Sequence, residues 1–332
     1  MAISKAFKLK TAIITGVFGQ DGVFLVKFLK RKNYKIYGIS HSKPSTPIQN
    51  QILMSLDGLL VTDIRDTSKI IDYIKFIRPA EFYNLAGLSS PSESFKHPEK
   101  YLEVNALAVE NLINRISEEK SMVSIRFYQA SSSEIFGTSN VSPQNEHTEY
   151  APATPYGFSK MVVTEFCQKI RSNRNFHVSC GILYNHESEF RDPKFVSRKI
   201  TKGLARIKLT LQDQIELGNL DSRRDWGYAA DYVQAMWLML QQDIPGDFVI
   251  ASGQQHTVND FLIETFTLSG LPGKFSDYVK FDQNQLRPQD PNTLVGDSAL
   301  AKVKLGWEPT TSFRELVQKM YSHDLVEETA NL

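Results

Sequence analysis

The sequence predicts an α/β fold, a doubly wound parallel sheet joined to a smaller C-terminal α/β lobe. Three observations carry that expectation. The chain opens with a short apolar run, a glycine-punctuated turn and an apolar-periodic helix, in that order. Strand-like and helix-like segments then alternate as far as about Asn185. The polar clusters fall at or just after strand ends, the edge at which open α/β sheets bind ligands.

The elements follow in order. Thr11 to Thr15 suits a strand buried on both faces, Gly16 to Gly22 a turn, and Val23 to Arg31 a helix that ends in basic residues, as its dipole favours. Tyr34 to Ile39 is the next strand, closing a βαβ unit. "KPSTPIQNQ" (Lys43 to Gln51) reads as loop, Gly58 to Ile64 as a strand, "TSKIIDYIKFI" as a helix and Glu81 to Gly87 as a strand. "YLEVNALAVENLINRI" reads as one helix and "IRFYQASSS" as a strand; "YGFSKMVVTEFCQKI" is then helical and "HVSCGILYN" a strand. Beyond Asn185 the pattern loosens into a turn and helix (Gly218 to Leu240), a strand and helix from Asp247, and the proline-bearing "RPQDPNTLVGDSALAKVKLGWEP". The expected division is 1–185 for the first domain and 186–332 for the lobe, with segments of about 218–256 returning to the main sheet.

Composition narrows the function classes. The 332 residues are 41% hydrophobic and 23% charged, with Lys+Arg 38 against Asp+Glu 37. That balance, without a basic stripe, argues against nucleic acid or a membrane surface as partner. Cys167 and Cys180 sit in apolar runs and read as reduced core thiols. The N-terminus is too polar for a secretory leader and no apolar run approaches a membrane span. A cytoplasmic protein with no metal site is expected.

Gly16, Gly19 and Gly22 stand directly after a strand and open a helix. The first permits the tight turn, the second lets backbone approach a pyrophosphate, and the third lets helix pack on strand. This predicts a Rossmann-type dinucleotide site. The second strand ends in "GISHSK", with no acid to hold a ribose 2′-hydroxyl. Ser40, His41 and Ser42 offer donors there, so NADP is favoured, with NAD possible. Asp63 and Ile64, after the third strand, are placed to meet the adenine, and Asp63 also suits a helix N-cap.

Tyr156 and Lys160 lie four apart in "YGFSK" and emerge on one helix face. A neighbouring ammonium lowers a phenol's pKa, and the same lysine can hydrogen-bond a nicotinamide ribose. In "QASSSEIFGTSN" a carboxylate, Glu134, follows a cluster of small hydroxyls at a strand end. It is either a reacting group or a solvated turn residue.

Three stretches, "TGVFGQDG", "ASSSEIFG" and "YGFSK", resemble the extended short-chain dehydrogenase/reductases. With "YNHES", Arg198-Lys199 and "GNLDSRRDWGYAADYVQAMWLML", the chain is similar to the GDP-mannose 4,6-dehydratases over most of its length. The resemblance implies an NADP-dependent hydro-lyase that makes a GDP-4-keto-6-deoxy sugar: C4 is oxidised, water leaves across C5 and C6, and hydride returns to C6. It assigns Tyr156 as the base at O4, Lys160 as cofactor ligand, Ser132 as a hydroxyl against O4, and Glu134 as acid/base of the elimination. It places Phe18, Gln20, Asp21, Leu85, Ala86, Gly87, Ser89, His186 and Arg191 around the cofactor. Ser89, Ser133, Asn185, Lys199, Arg224, Arg287 and Asp290 would hold the substrate. It also implies a homodimer or homotetramer. His41 and Ser42 replace the family's paired arginines, and Gly87-Leu88 replaces a more polar Ala-Gln. The alternatives are a GDP-manno-heptose dehydratase, a 4-keto-sugar reductase or epimerase, and a non-catalytic dinucleotide-sensing protein.

Overall fold

The β-branched run Thr11–Thr15 forms β1, fully buried from Ala12 to Thr15. It occupies the middle of the sheet, where both faces are covered and a strand can be apolar throughout. The structure is a computed structural model and describes residues 9–282 and 294–332. Helix α1 (Gln20–Arg31) follows the glycine turn, starting three residues earlier than the sequence suggests because Gly19 is its N-cap. Strand β2 (Lys35–Ser40) pairs in parallel with β1.

"KPSTPIQNQ" is not a loop: it contributes to helix α2 (Pro47–Ser55). Thr46 accepts the N–H of Gln49, Pro47 takes the first turn where no N–H is needed, and Ile52 anchors the helix in the core. Strand β3 (Gly58–Val61) is shorter than expected, and helix α3 (Thr67–Ile77) matches its predicted span. The cap of α3 is Asp66, not Asp63. Strand β4 (Glu81–Asn84) precedes two short helices, α4 (Pro91–Ser94) and α5 (Pro98–Leu102).

The single helix expected over residues 101–116 is interrupted. A π-helical turn at Glu103–Leu107 separates α5 from α6 (Ala108–Glu118). Asn105 lies in this wide turn, buried, and its amide bonds both the N–H and the carbonyl of Leu88. Strand β5 (Arg126–Ala130), helix α7 (Pro155–Arg174) and strand β6 (Val178–Leu183) complete the first half.

The second half holds β7 (Asn185–Glu187), α8 (Val196–Lys208), β8 (Ile215–Leu217), β9 (Arg223–Tyr228) and α9 (Ala229–Gln241). Strand β9 stands where the sequence suggests only a turn. Then come β10 (Asp247–Ile250), β11 (Gln255–Thr257), α10 (Val258–Ser269), β12 (Val279–Phe281), α11 (Ala299–Leu305) and α12 (Phe313–Ala330).

The main sheet has the order β10-β6-β5-β4-β1-β2-β3, every pair parallel. One face packs on α1 and α9, the other on α3, α6 and α7. The chain winds outward from β1 in both directions, so the switch point lies between β1 and β4. Strand β10 joins the far edge of the sheet beside β6. A separate three-stranded sheet, β11-β9-β7, and the pair β12-β8 build the second region, whose apolar core comes mainly from α8, α10 and α12. The C-terminal ends of β1, β4, β5 and β6 therefore open toward the segment that begins with β7.

Candidate active site

At the end of β1 the glycine turn is shaped by contacts rather than by composition. Gly16 has φ +66°, and a Cβ there would come within 3.0 Å of the Leu85 carbonyl and the Ala86 N–H. A Cβ on Gly22 would sit 2.5 Å from the Val17 carbonyl. Gly19 caps α1 with no side-chain acceptor, so the helix's first N–H groups and its positive end are available to an anion. This is a cradle that fits a pyrophosphate.

A buried polar rail connects that turn with the next two strands. Thr15 Oγ1 donates to Asn84 Oδ1 at 2.6 Å and accepts the N–H groups of Leu85 and Ala86. Asn84 Nδ2 donates to Gln129 Oε1 at 2.8 Å, and Gln129 Nε2 donates to the Ala130 carbonyl at 2.9 Å. The same carbonyl accepts from Lys160 Nζ at 2.8 Å. Thr15, Asn84 and Gln129 are buried, so each must find such partners. The rail sets the ends of β1, β4 and β5 in register with the ammonium.

Helix α7 delivers Tyr156 and Lys160. Thr154 caps it by accepting the Gly157 N–H at 2.9 Å. Gly157 is required by the close approach of the loop carrying Glu134: a Cβ there would lie 2.4 Å from the Glu134 carbonyl. Ser132 caps the short 3-10 turn Ser133–Ile135 and accepts the Glu134 N–H at 3.3 Å. Ser131 Oγ and Thr164 Oγ1 are 2.7 Å apart, and Thr164 donates to the Lys160 carbonyl. Asn105 Nδ2 reaches Ser159 Oγ at 3.1 Å, tying the Leu88 backbone to the same helix.

The resulting cleft is lined by Asp21, Leu85, Gly87, Ser89, Ser132, Ser133, Glu134, Tyr156, Lys160, Asn185, His186 and Arg191 among the expected positions. It also takes in Leu88, Pro91, Ser131, Tyr184 and Phe195. Of the other cofactor expectations, Gly16, Phe18, Gly19, Gln20, Gly22 and Ala86 form the turn and its neighbour strand end, outside the cleft lining. Ser40 is buried and its hydroxyl accepts the Ser42 N–H, while His41 and Ser42 are exposed. Ile64 is buried; Asp63 is paired with Arg65 at 2.8 Å, and that guanidinium holds its carboxyl down at about 2. Lys199 lies in a different cleft, with Lys202, Arg206 and Lys280. Arg224 is buried on β9 and donates to the Arg223 carbonyl. Arg287 and Asp290 lie outside the described residues.

Electrostatics correct one expectation. Burial pushes the Tyr156 phenol up to about 12, opposed by a hydrogen bond with Ser132 and reinforced by the negative charge of Glu134. The Lys160 ammonium, which donates to the Ala130 carbonyl and sits 6.0 Å from the centre of the tyrosine ring, does not offset that rise. Burial pulls Lys160 itself down to about 8, with Asp21 opposing. The cleft thus brings together a neutral phenol, a carboxylate and an ammonium, set for moving protons. Among the described residues no group of His, Cys, Asp and Glu could hold a metal ion, and no helix is long and apolar enough to cross a membrane.

The family model for GDP-mannose 4,6 dehydratase matches residues 13–320. The GDP-mannose 4,6 dehydratase 2 of Arabidopsis thaliana is 40% identical over 327 residues, covering 95% of this chain and 87% of that protein. The GDP-mannose 4,6 dehydratase of Homo sapiens is 36% identical over 338 residues, covering 95% and 91%. Among solved structures, a UDP-glucose 4-epimerase with UDP-glucose from Thermotoga maritima superposes with a TM-score of 0.84 at 20% identity, over 96% of this chain and 99% of that one. At that identity the likeness is one of fold.

Proposed function

The chain belongs to the GDP-mannose 4,6 dehydratase family, and from that premise we propose that it converts GDP-mannose, or a close GDP-sugar, into the GDP-4-keto-6-deoxy sugar and water. The observation that carries the proposal is Glu134 lining the same cleft as Ser132, Tyr156 and Lys160. Plain oxidation or epimerisation on this scaffold needs no such acid, whereas elimination does.

The cofactor is a nicotinamide dinucleotide, with NADP the better fit because β2 ends at Ser40 with no acid for a ribose 2′-hydroxyl. The glycine turn with its uncapped helix end would hold the pyrophosphate, and Lys160, His186 and Arg191 would meet the nicotinamide half. When bound, the dinucleotide supplies the hydride acceptor for C4 and the donor for C6. The rest falls to the chain. Tyr156 exchanges the O4 proton, with Ser132 hydrogen-bonded to it to fix its direction. The 4-ketone acidifies the C5 proton; Glu134 takes it and returns it to the departing C6 hydroxyl as water forms, and the proton that left O4 balances the one that C5 must regain when hydride reaches C6. Lys160 keeps a positive charge against the phenol's developing negative one. Residues 1–185 would carry this chemistry, with Ser89, Ser133 and Asn185 against the substrate, and residues 186–332 would grip the GDP, with Lys199 and Arg224 as contacts.

Incubation of the protein with GDP-mannose and catalytic NADP+ tests this. The expected result is a nucleotide sugar lighter by one water, without NADPH accumulating. Unchanged GDP-mannose together with a dehydrated GDP-heptose would move the substrate to the heptose, and consumption of added NADPH by a 4-keto sugar would favour the reductase. The protein would assemble as a homodimer or homotetramer through helix α7, where Phe158 is exposed as is Leu107 just before α6. A monomer by light scattering at assay concentration would contradict that.

A further inference from the structure

The segment from Arg191 to Phe195 separates two clefts. Arg191 and Phe195 line the one that holds Tyr156 and Lys160, and Pro193 lines a second, basic one with Lys199, Lys202, Arg206 and Lys280. The reading above, with Lys199 against the GDP, runs the substrate from the first cleft past Pro193 into the second. That second cleft is less positive than its cations suggest. Lys280 of β12 is paired with Glu216 of β8 at 3.3 Å. Lys202 and Arg206, four apart on α8 and so on one flank of the helix, are paired from behind by α12.

Two neighbouring carboxylates of α12 make those pairs. Glu328 Oε1 lies 3.0 Å from Lys202 Nζ, and Glu328 Oε2 accepts from Arg206 Nη1 at 2.6 Å. Glu327 Oε2 accepts from Lys202 Nζ at 3.1 Å. Burial opposes the charge of Glu328, but the hydrogen bonds from Lys202 and Arg206 outweigh it and hold the carboxyl below its usual range. Anchoring α12 on α8 does not depend on them. Arg198 Nε and Thr201 Oγ1 both donate to the buried Asp324 at 2.6 Å, and Leu316, Val317 and Met320 of α12 are buried in the apolar core.

We propose that Glu327 and Glu328 are specificity-determining residues, acting through Lys202 and Arg206. They cancel charge at the nucleotide cleft, so that it takes a sugar nucleotide in preference to a free nucleoside triphosphate. The inference rests on the reading above for the place of the GDP. A sugar nucleotide's diphosphate is esterified at both ends. A nucleoside triphosphate has one phosphate more and ends in a free one, whose second ionisation near pH 6 adds roughly one further negative charge. A cleft with both cations uncompensated would draw in the more negative ligand more strongly.

The test measures binding of GDP-mannose and of GTP by calorimetry, with metal ions chelated so that GTP keeps its charge. It uses Tyr156→Phe protein as the parent, so that the sugar nucleotide is not consumed. Adding Glu328→Gln should tighten GTP about fivefold and GDP-mannose about twofold, the size expected for one partly exposed charge. Glu327→Gln, at a carboxylate 42% exposed, should shift GTP in the same direction by about twofold and keeps the test open if the other variant does not fold. Both gains should shrink at high ionic strength. Adding Lys202→Gln to Glu328→Gln should return the GTP affinity toward the parent's, because the charge balance is restored. A merely structural role for these carboxylates would instead weaken both ligands.

An unchanged ratio of the two affinities in both variants would overturn the proposal, and so would weaker binding of both ligands. A parent that binds neither ligand would overturn it together with the placement of GDP in this cleft. The expected ratios in a protein that leaves every GDP-sugar unchanged would keep the charge selectivity and lose the dehydratase. Dehydration of GDP-mannose with unshifted ratios would keep the dehydratase and lose the selectivity.

Discussion

Glu134→Gln is expected to bind NADPH and the GDP-sugar as the wild type does and to lose dehydration by about a thousandfold, within the range for removal of a positioned acid/base. The amide matches the carboxylate in shape, so the Ser132 cap on the Glu134 N–H and the Gly157 contact on its carbonyl are untouched. What it cannot do is accept the C5 proton. In the proposed scheme the oxidation at C4 relies on Tyr156, Ser132 and Lys160 rather than on Glu134, so it should still occur. A 4-keto sugar that retains its C6 hydroxyl should therefore build up to a level stoichiometric with the protein, visible by rapid quench and mass spectrometry. Product formation at a near-normal rate would remove Glu134 from the elimination. Absence of both product and 4-keto sugar would mean that Glu134 serves the first step instead.

Lys160→Met should abolish turnover and yet make the protein more stable. Lys160 is nearly fully buried, and burial brings its ammonium down to about 8. Below that pH the folded state holds a charge that it would rather not bury. The penalty is on the order of 3 kcal/mol, from the gap between about 8 and the ordinary lysine value near 10.4. Methionine fills much the same volume without it, and the Ala130 carbonyl keeps its bond from Gln129. The sign with pH follows from the depressed pKa. The wild type pays the full penalty below about 8 and regains stability as pH rises from there toward the ordinary lysine range. The advantage of the variant should shrink over that window. Chemical denaturation of both proteins at pH 7 and at higher pH measures it. A less stable variant at pH 7 would show that the ammonium's interactions outweigh its desolvation. The expectation fits a site where function is kept at a cost in stability.

How much of this was legible beforehand depends on whether the signal is local. The glycine turn, the Tyr156/Lys160 spacing and the Ser132 to Glu134 cluster are written in short stretches, and the structure gathers Ser132, Glu134, Tyr156 and Lys160 into one cleft. The alternation of short, mainly apolar strands with amphipathic helices makes the parallel sheet legible. Boundaries suffered where capping decides: Pro47 reads as loop punctuation until Thr46 is seen to cap a helix. The π-turn around Asn105 leaves no mark in hydrophobic periodicity, since Val104 and Leu107 still suit a helix. Thr15, Asn84 and Gln129 went unremarked because each is a single polar residue inside a strand. Their role exists only once three strand ends lie side by side. Lys199 lines a cleft other than the one holding Tyr156 and Lys160, a placement that a motif match cannot show. The spacing of Tyr156 and Lys160 shows their shared helix face, but neither the burial that raises the phenol nor the Ala130 carbonyl that accepts from the ammonium can be read from spacing.

The proposed reaction has one protein oxidise C4, expel the C6 hydroxyl and restore its cofactor within a single catalytic cycle. GDP-mannose bearing deuterium at C4, supplied with protein and catalytic unlabelled NADP+, tests it most directly. The expected product is a GDP-4-keto-6-deoxy sugar that has lost one ordinary water and carries the deuterium on C6. Deuterium lost to the NADP pool, or a product that keeps its C6 hydroxyl, would contradict it.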